Sequence, residues 1–343
     1  MTKMDRRAFL EMTAAASALA ALRGSKVSAA PQAGPGAGLK KAVYVSMLPK
    51  ELGYLDKFKL AVDVGFQGIE IGTISDPTVA AEIKEAAAKA GLKIHGVMNA
   101  DHWRYPLSSA DPEVVNKSVS GMETSLRNAK LWGADAVLLV PGVVNADTGY
   151  KDAWTRSQKV VKERILPLAQ ELKVVIGMEE VWNKFLISPI EMARYVDEFN
   201  SPWVKAYLDV GNMLFYGFPQ DWIRTLGPRI CRVHVKDFKL DRKESKYSWT
   251  NLGEGDVDWP AVRAAIADVK YDGWVTTEIN GGDAVYLKDV VARLDKIFAG
   301  QRPFTPPAEA RPRSRDSGLG IRDSGLGIRD SGFGIRQSVA TSQ

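Results

Sequence analysis

Histidine and cysteine are scarce in this chain of 343 residues: His95, His102 and His234 are the only imidazoles, and Cys231 is the only thiol. One cysteine excludes an internal disulfide, and its place in the apolar run Ile230–Val233 reads as a buried, inert thiol. Long hydrophobic runs are also missing. The most apolar stretch, Thr13–Leu22, is about half the ~20 residues a membrane-spanning helix needs. An excess of charge in the body of the chain is absent too. Of the formal net +5, residues 1–30 carry +3 and residues 311–343 carry +3, which leaves −1 for the rest. The basicity belongs to the ends, and a polyanion partner such as nucleic acid is not expected.

The two ends have their own character. Met4-Asp5-Arg6-Arg7-Ala8-Phe9-Leu10 is a twin-arginine pattern, followed by the short apolar run and by small residues around Val27–Ala30. Charge, apolar segment and cleavage-like residues in that order predict a signal peptide over residues 1–30 and export to the periplasm, without stable membrane insertion once it is removed. At the other end, RDSGLGI, RDSGLGI and RDSGFGI repeat from Arg315 to Ile335, after a proline-rich linker. Two glycines per seven residues rule out a coiled coil, so 301–343 is expected to be a disordered, low-complexity tail.

Between residues 39 and 300, β-rich runs alternate with helical stretches eight times. Expected strands are Ala42–Ser46, Gly68–Ile71, Lys93–Met98, Ala136–Val140, Val174–Met178, Val204–Leu208, Ile230–Val235 and Trp274–Thr277. They are apolar at most positions, as strands covered on both faces must be. Asp76-Pro77, Asp111, Ser188-Pro189 and Asp258-Trp259-Pro260 open helices, and Gly65, Gly91 and Gly133 close them. Eight such units in about 260 residues predict a single-domain (β/α)8 TIM barrel. A doubly wound sheet would announce a dinucleotide with G-x-G-x-x-G after the first strand; Ser46-Met47-Leu48-Pro49 stands there instead.

Reacting groups in such a barrel project from the C-terminal ends of the strands. Four consecutive strands end in ionisable residues: Glu179, Asp209, His234 and Glu278. A carboxylate straight after an apolar run is costly unless paired or bound to a cation, and here four strands each deliver one polar group. Three carboxylates and one imidazole suit Mn2+, Mg2+ or Co2+, with Zn2+ also compatible. Glu180 beside Glu179 leaves the register of the first ligand open; ending the strand on the ligand favours Glu179.

The segments Glu179–Phe185, Leu208–Asn212, Val233–Asp237 and Gly253–Trp259 resemble the sugar phosphate isomerase/epimerase family with the xylose-isomerase-like barrel, over roughly residues 41–298. The resemblance implies metal ligation by Glu179, Asp209, His234 and Glu278, with Glu179 and Glu278 also the catalytic acid/base pair on either face of the substrate. The chain departs from the sugar epimerases at two places: Asn212 stands where they often place a substrate-binding histidine, and Phe185 where they carry a second glutamate. Barrels that cleave abasic DNA with three zinc ions need many histidines, and three are too few.

The implied chemistry is proton abstraction next to a carbonyl through an enediolate, giving an isomer or epimer. Loss of a β-oxygen instead would make the chain a metal-dependent lyase or dehydratase acting on a keto-sugar, keto-glycoside or inosose, and a non-catalytic sugar-binding barrel is the third alternative. His102 and Trp103, in the loop after the third strand, are candidate substrate contacts, as are Asn212 and Lys236, the latter alternatively pairing with Asp237. Trp182 and Trp259 read as packing. Export, together with the lack of a Gly-rich phosphate cradle, points to an unphosphorylated sugar, keto-sugar or keto-glycoside.

Overall fold

The computed structural model describes residues 38–304 except Arg242 and Ser245. The expected signal peptide, and the expected tail from residue 305 onward, lie outside the described residues. Strands β1 (Lys40–Tyr44), β2 (Gly68–Gly72), β3 (Lys93–Met98), β4 (Ala136–Leu139), β5 (Val175–Glu179), β6 (Val204–Asp209), β7 (Ile230–Val235) and β10 (Trp274–Thr277) are all parallel. They close into a barrel in the order β1-β10-β7-β6-β5-β4-β3-β2. Each lies within two residues of its expected bounds.

The helices between them are α1 (Tyr54–Val64), α2 (Pro77–Ala90), α3 (Pro112–Trp132), α4 (Tyr150–Val160), α5 (Leu166–Leu172), α6 (Pro189–Asp197), α7 (Val210–Leu214), α8 (Pro219–Leu226), α9 (Trp259–Asp268) and α10 (Ala284–Phe298). The side chains of Asp76, Asp111, Ser188 and Asp258 each accept from a backbone N–H of the first turn they open. Gly65, Gly91 and Gly133 take the left-handed conformation that closes α1, α2 and α3.

Two features escaped the sequence pattern. A π-type turn over Val161–Ile165 joins α4 to α5, immediately before Pro167, whose missing N–H breaks the regular ladder. An antiparallel hairpin, β8 (Asp237–Asp241) and β9 (Lys246–Thr250), is inserted between the seventh and eighth barrel strands. Its charged turn, from Asp241 to Lys246, masks the alternation by which a strand is normally read.

The main core lies between strands and helices, with Phe58, Ile69, Ile176, Leu208, Trp222 and Leu294 fully covered. The barrel interior is more polar. Arg232 Nε donates to His95 Nδ1 (3.3 Å), Thr276 Oγ1 lies 3.0 Å from His95 Nε2, and the His95 ring stacks on Trp274 at 4.9 Å. Burial, with Arg232 beside it, pushes His95 well below the usual histidine range, so it is a neutral, satisfied core residue. Cys231 lies in β7, where burial pushes its thiol up to about 11 and keeps it protonated and unreactive.

Asp237 organises the hairpin's attachment. Its carboxylate accepts from the backbone N–H of Phe238, Gly253 and Val257 and from Trp259 Nε1, at 2.7–3.3 Å. This accounts for the Gly253–Trp259 segment: it wraps one buried carboxylate. Replacing Asp237 by Ala leaves those donors unmet and is expected to cost about 3 kcal/mol, read as a lower midpoint in urea unfolding.

Candidate metal centre

The order of strands explains why the four candidate ligands meet. β5, β6, β7 and β10 are neighbours along one arc of the barrel. Glu179 is in register with Tyr207, Asp209 with His234, and Thr276 with His234, while Glu278 N donates to Val235 O (3.2 Å). The donors thus step up along the register across the arc, Glu179 two residues before the level of Asp209 and His234 and Glu278 two residues beyond it, and still converge. One ligand atom from each of Glu179, Asp209, His234 and Glu278 lies within 4.8 Å of all the others.

His234 Nδ1 faces this cluster, 3.2 Å from Glu179 Oε1, 3.3 Å from Glu278 Oε2 and 3.9 Å from Asp209 Oδ2. Glu179, Asp209 and His234 are buried, and Glu278 is about three-quarters covered. Three carboxylates at such separations in a covered site repel strongly unless a cation lies among them. Asp209 Oδ2 is sealed from solvent and has no hydrogen-bond donor; Lys236 Nζ, 2.9 Å away, neutralises it without the alignment of a hydrogen bond. The donor set, its spacing and that orphaned oxygen fit a divalent cation with oxygen-rich coordination.

The adjacent glutamates stand in different surroundings. Glu179 joins the cluster, whereas Glu180 is fully buried with neither carboxyl oxygen hydrogen-bonded, and burial raises it well above the carboxylate range. Burial also raises Glu179, to about 7. Burial would raise Glu278 as well, but the Lys236 ammonium and His234 outweigh it and keep Glu278 far below the ordinary range. The two glutamates at the ends of the arc thus differ in charge state, one near its titration point and one firmly ionised.

Lys236 reaches Glu278 Oε2 at 2.7 Å as well as Asp209, and does not pair with its neighbour Asp237. Gly211 permits this, because any Cβ there would overlap the Lys236 stem. Asn212 uses its backbone N–H on Asp209 Oδ1 (2.8 Å) and its side-chain amide on the Glu180 carbonyl (3.2 Å), so it holds the loop beside the ligands. His102 and Trp103 form a 3-10 turn after β3, their rings 5.0 Å apart, and no hydrogen bond joins them to the four ligands among the described residues. Trp103 is exposed; both His102 nitrogens are sealed without a partner, and burial lowers that imidazole to about 4. Trp182 and Trp259 pack as expected, Trp182 donating to Asn212 O (3.2 Å) and Trp259 to Asp237.

One residue escaped sequence reading altogether. Glu70, on β2 and fully buried, accepts from His234 Nε2 at 2.6 Å and from the Tyr207 hydroxyl at 2.8 Å. It anchors the imidazole from behind, so that Nδ1 is the nitrogen turned to the ligand cluster. Burial would lower His234, but Glu70, Glu179 and Glu278 hold it well above the usual range. The signal in the sequence was faint: a glutamate inside the otherwise apolar strand Gly68-Ile69-Glu70-Ile71.

A family model described as xylose isomerase-like TIM barrel matches residues 58–297. The chain belongs to the xylose isomerase-like TIM barrel family. An L-ribulose-5-phosphate 3-epimerase of Salmonella paratyphi C is 24% identical over 242 residues, covering 67% of this chain and 84% of the relative. Among solved structures, a D-psicose 3-epimerase from Clostridium cellulolyticum H10 with D-tagatose superimposes with a TM-score of 0.60 at 20% identity, covering 77% of this chain and 96% of that one. A 3-keto-D-glucoside 4-epimerase from E. coli gives 0.61 at 17% identity, covering 75% and 99%. These structures share the barrel of this xylose isomerase-like chain.

Two outcomes follow from this geometry. Glu70→Gln removes the charge that orients His234 and is expected to weaken Mn2+ binding about 10- to 100-fold in calorimetry while the far-UV dichroism is retained. His102, lowered in the folded protein from the ordinary 6.5 to about 4, takes up its proton in the unfolded chain first. Its contribution therefore makes stability rise with pH from about 4 to 6.5 and flatten above; His102→Gln should flatten the melting temperature across that window.

Proposed function

We propose that the chain is a divalent-metal-dependent epimerase or isomerase acting on an unphosphorylated sugar or keto-sugar. The observation that carries this reading is the four-donor cluster of Glu179, Asp209, His234 and Glu278 at the C-terminal ends of neighbouring strands, with ligand atoms within 4.8 Å of one another. The names of its relatives support the reaction class: L-ribulose-5-phosphate and D-psicose epimerases recur among them, beside a 3-keto-D-glucoside epimerase.

A divalent ion bound by these four residues would supply Lewis acidity toward a substrate carbonyl oxygen, acidifying the neighbouring C–H. The rest is the work of the protein's own groups. Glu179 and Glu278 arrive from the two outer strands of the arc, with Asp209 and His234 between them. Placed on opposite sides of the arc, the two carboxylates are the groups positioned to take a proton from one face of the substrate and return one to the other. Lys236 holds Glu278 in place and presents an ammonium to substrate oxygens. Burial of Glu179, Asp209 and His234 excludes water from the proton path.

The unphosphorylated substrate and export belong together in this proposal. The twin-arginine pattern Met4–Leu10 supports passage to the periplasm by a route that carries folded proteins. Replacing Arg6 and Arg7 by Lys should leave the protein in the cytoplasmic fraction; equal partition of variant and parent would sink the export proposal.

The enzyme reading is tested with a panel of keto-sugars and glycosides, Mn2+ and deuterated water. Deuterium in the recovered sugar together with a new epimer or isomer is the expected result. An unsaturated product would transfer the protein to the lyases, and no exchange with any sugar by the Mn2+-loaded protein would end the catalytic reading. Glu278→Gln is expected to slow exchange at least about 100-fold.

A further inference from the structure

Beside the metal centre lies a second hollow that the chemistry above does not use. It has a volume of about 350 Å3 and is bounded by Trp249, Thr250 and Asn251 from the end of β9, by Glu254, by Asn280 in the loop after β10, and by Tyr286 of α10. Asn280 stands two residues beyond Glu278, so the hollow opens against the strand end that carries this ligand. Trp249 joins the two places. Lys236 Nζ, 2.7 Å from Glu278 Oε2, sits 5.4 Å from the centroid of the Trp249 ring. The indole is braced by Trp182, stacked at 5.0 Å and 19°, and still leaves 40% of its surface exposed.

The lining has a definite chemical character. Two aromatic rings offer apolar faces, and two amides and a carboxylate offer both donors and acceptors. Glu254 is already held by Arg293 at 2.9 Å, and Asn251 is braced by Asp289 at 3.3 Å, so the polar groups are pre-positioned. Neither Lys nor Arg lines the hollow, and the one charge that does is negative. A phosphate is disfavoured there; an uncharged ring with apolar C–H faces and hydroxyl edges fits. The volume, near the lower bound for small-ligand pockets, suits one sugar ring.

We infer that this hollow is a second carbohydrate subsite, which makes the substrate a glycoside or disaccharide: the reacting ring lies at the four-donor centre and a neighbouring uncharged sugar ring rests on Trp249. The inference rests on the sugar epimerase or isomerase reading and narrows its substrate from free monosaccharides to glycosides. It also gives the hairpin a task, since β9 brings Trp249 and Asn251 to the barrel mouth.

The test is calorimetry on the full chain with Mn2+ present, using glucose, glucose 1-phosphate, and the disaccharides cellobiose, maltose and trehalose as probes. At least one disaccharide is expected to bind 10-fold or more tightly than glucose, and glucose 1-phosphate is expected to gain nothing. Trp249→Ala should erase the disaccharide advantage with binding of glucose little changed, and Trp249→Phe should restore most of it; melting curves of both variants exclude loss of fold. No disaccharide advantage in the parent, or an advantage that survives Trp249→Ala, overturns the subsite. The deuterium exchange assay separates the two ideas: exchange into monosaccharides without any disaccharide preference leaves the enzyme reading standing and removes only this inference.

Discussion

Mutual repulsion of carboxylates is the constraint around which this barrel is built. Glu179, Asp209 and Glu278 converge within 4.8 Å, with Glu70 behind His234 and Glu180 buried alongside. Such a concentration of acid in a covered site would cost several kcal/mol per unpaired charge. The protein meets it with His234, which touches Glu70, Glu179 and Glu278 at 2.6–3.3 Å, and with Lys236, which bridges Asp209 and Glu278. The four donors are spaced so that a divalent cation among them would complete that balance.

The barrel's geometry makes the convergence enforceable. Neighbouring parallel strands deliver the four donors in steps along the register, and closure of the barrel turns them toward a common point. Irregularities in register serve the polar interior. Between β2 and β3, Ile69 pairs with Ile94 and Glu70 with Gly96, so that His95 is the extra residue; between β6 and β7, Tyr207 pairs with Arg232 and Cys231 is passed over. These shifts put Glu70, His95, Tyr207 and Arg232 in the interior together. Gly177 completes the fit, since a Cβ there would meet the Tyr207 ring at 2.8 Å. What a TIM barrel usually fills with branched aliphatic side chains is here, in part, a hydrogen-bonded stack beneath the metal centre.

The hairpin of β8 and β9 links this centre to the outside. Asp237 ties its base to the Gly253–Trp259 segment, and Trp182 supports it through contacts with Phe238, Tyr247 and Trp249 at 5.0–5.1 Å. Lys236 directly precedes the hairpin, so one short stretch of chain delivers the ammonium beside Asp209 and Glu278 and the Trp249 ring next to it.

Much of this was legible in the linear chain, and the reason is local. Strands covered on both faces must be apolar, so eight such runs separated by capped helices specified the barrel, and an ionisable residue ending four consecutive runs exposed Glu179, Asp209, His234 and Glu278. Other facts depend on residues far apart in sequence. Glu70 and His234 are separated by 164 positions and meet only because the barrel closes. That Glu179 joins the four-donor cluster while Glu180, adjacent and chemically identical, is buried without a hydrogen bond follows from the alternation of β5. Lys236 could have answered Asp237, its neighbour, but the hairpin turns Asp237 toward Gly253 and Trp259 and leaves Lys236 to Asp209 and Glu278. Sequence by itself determined which elements form and where acid collects, because those follow from burial and periodicity along the chain; tertiary structure decided which acids face one another, because that follows from register and closure between strands.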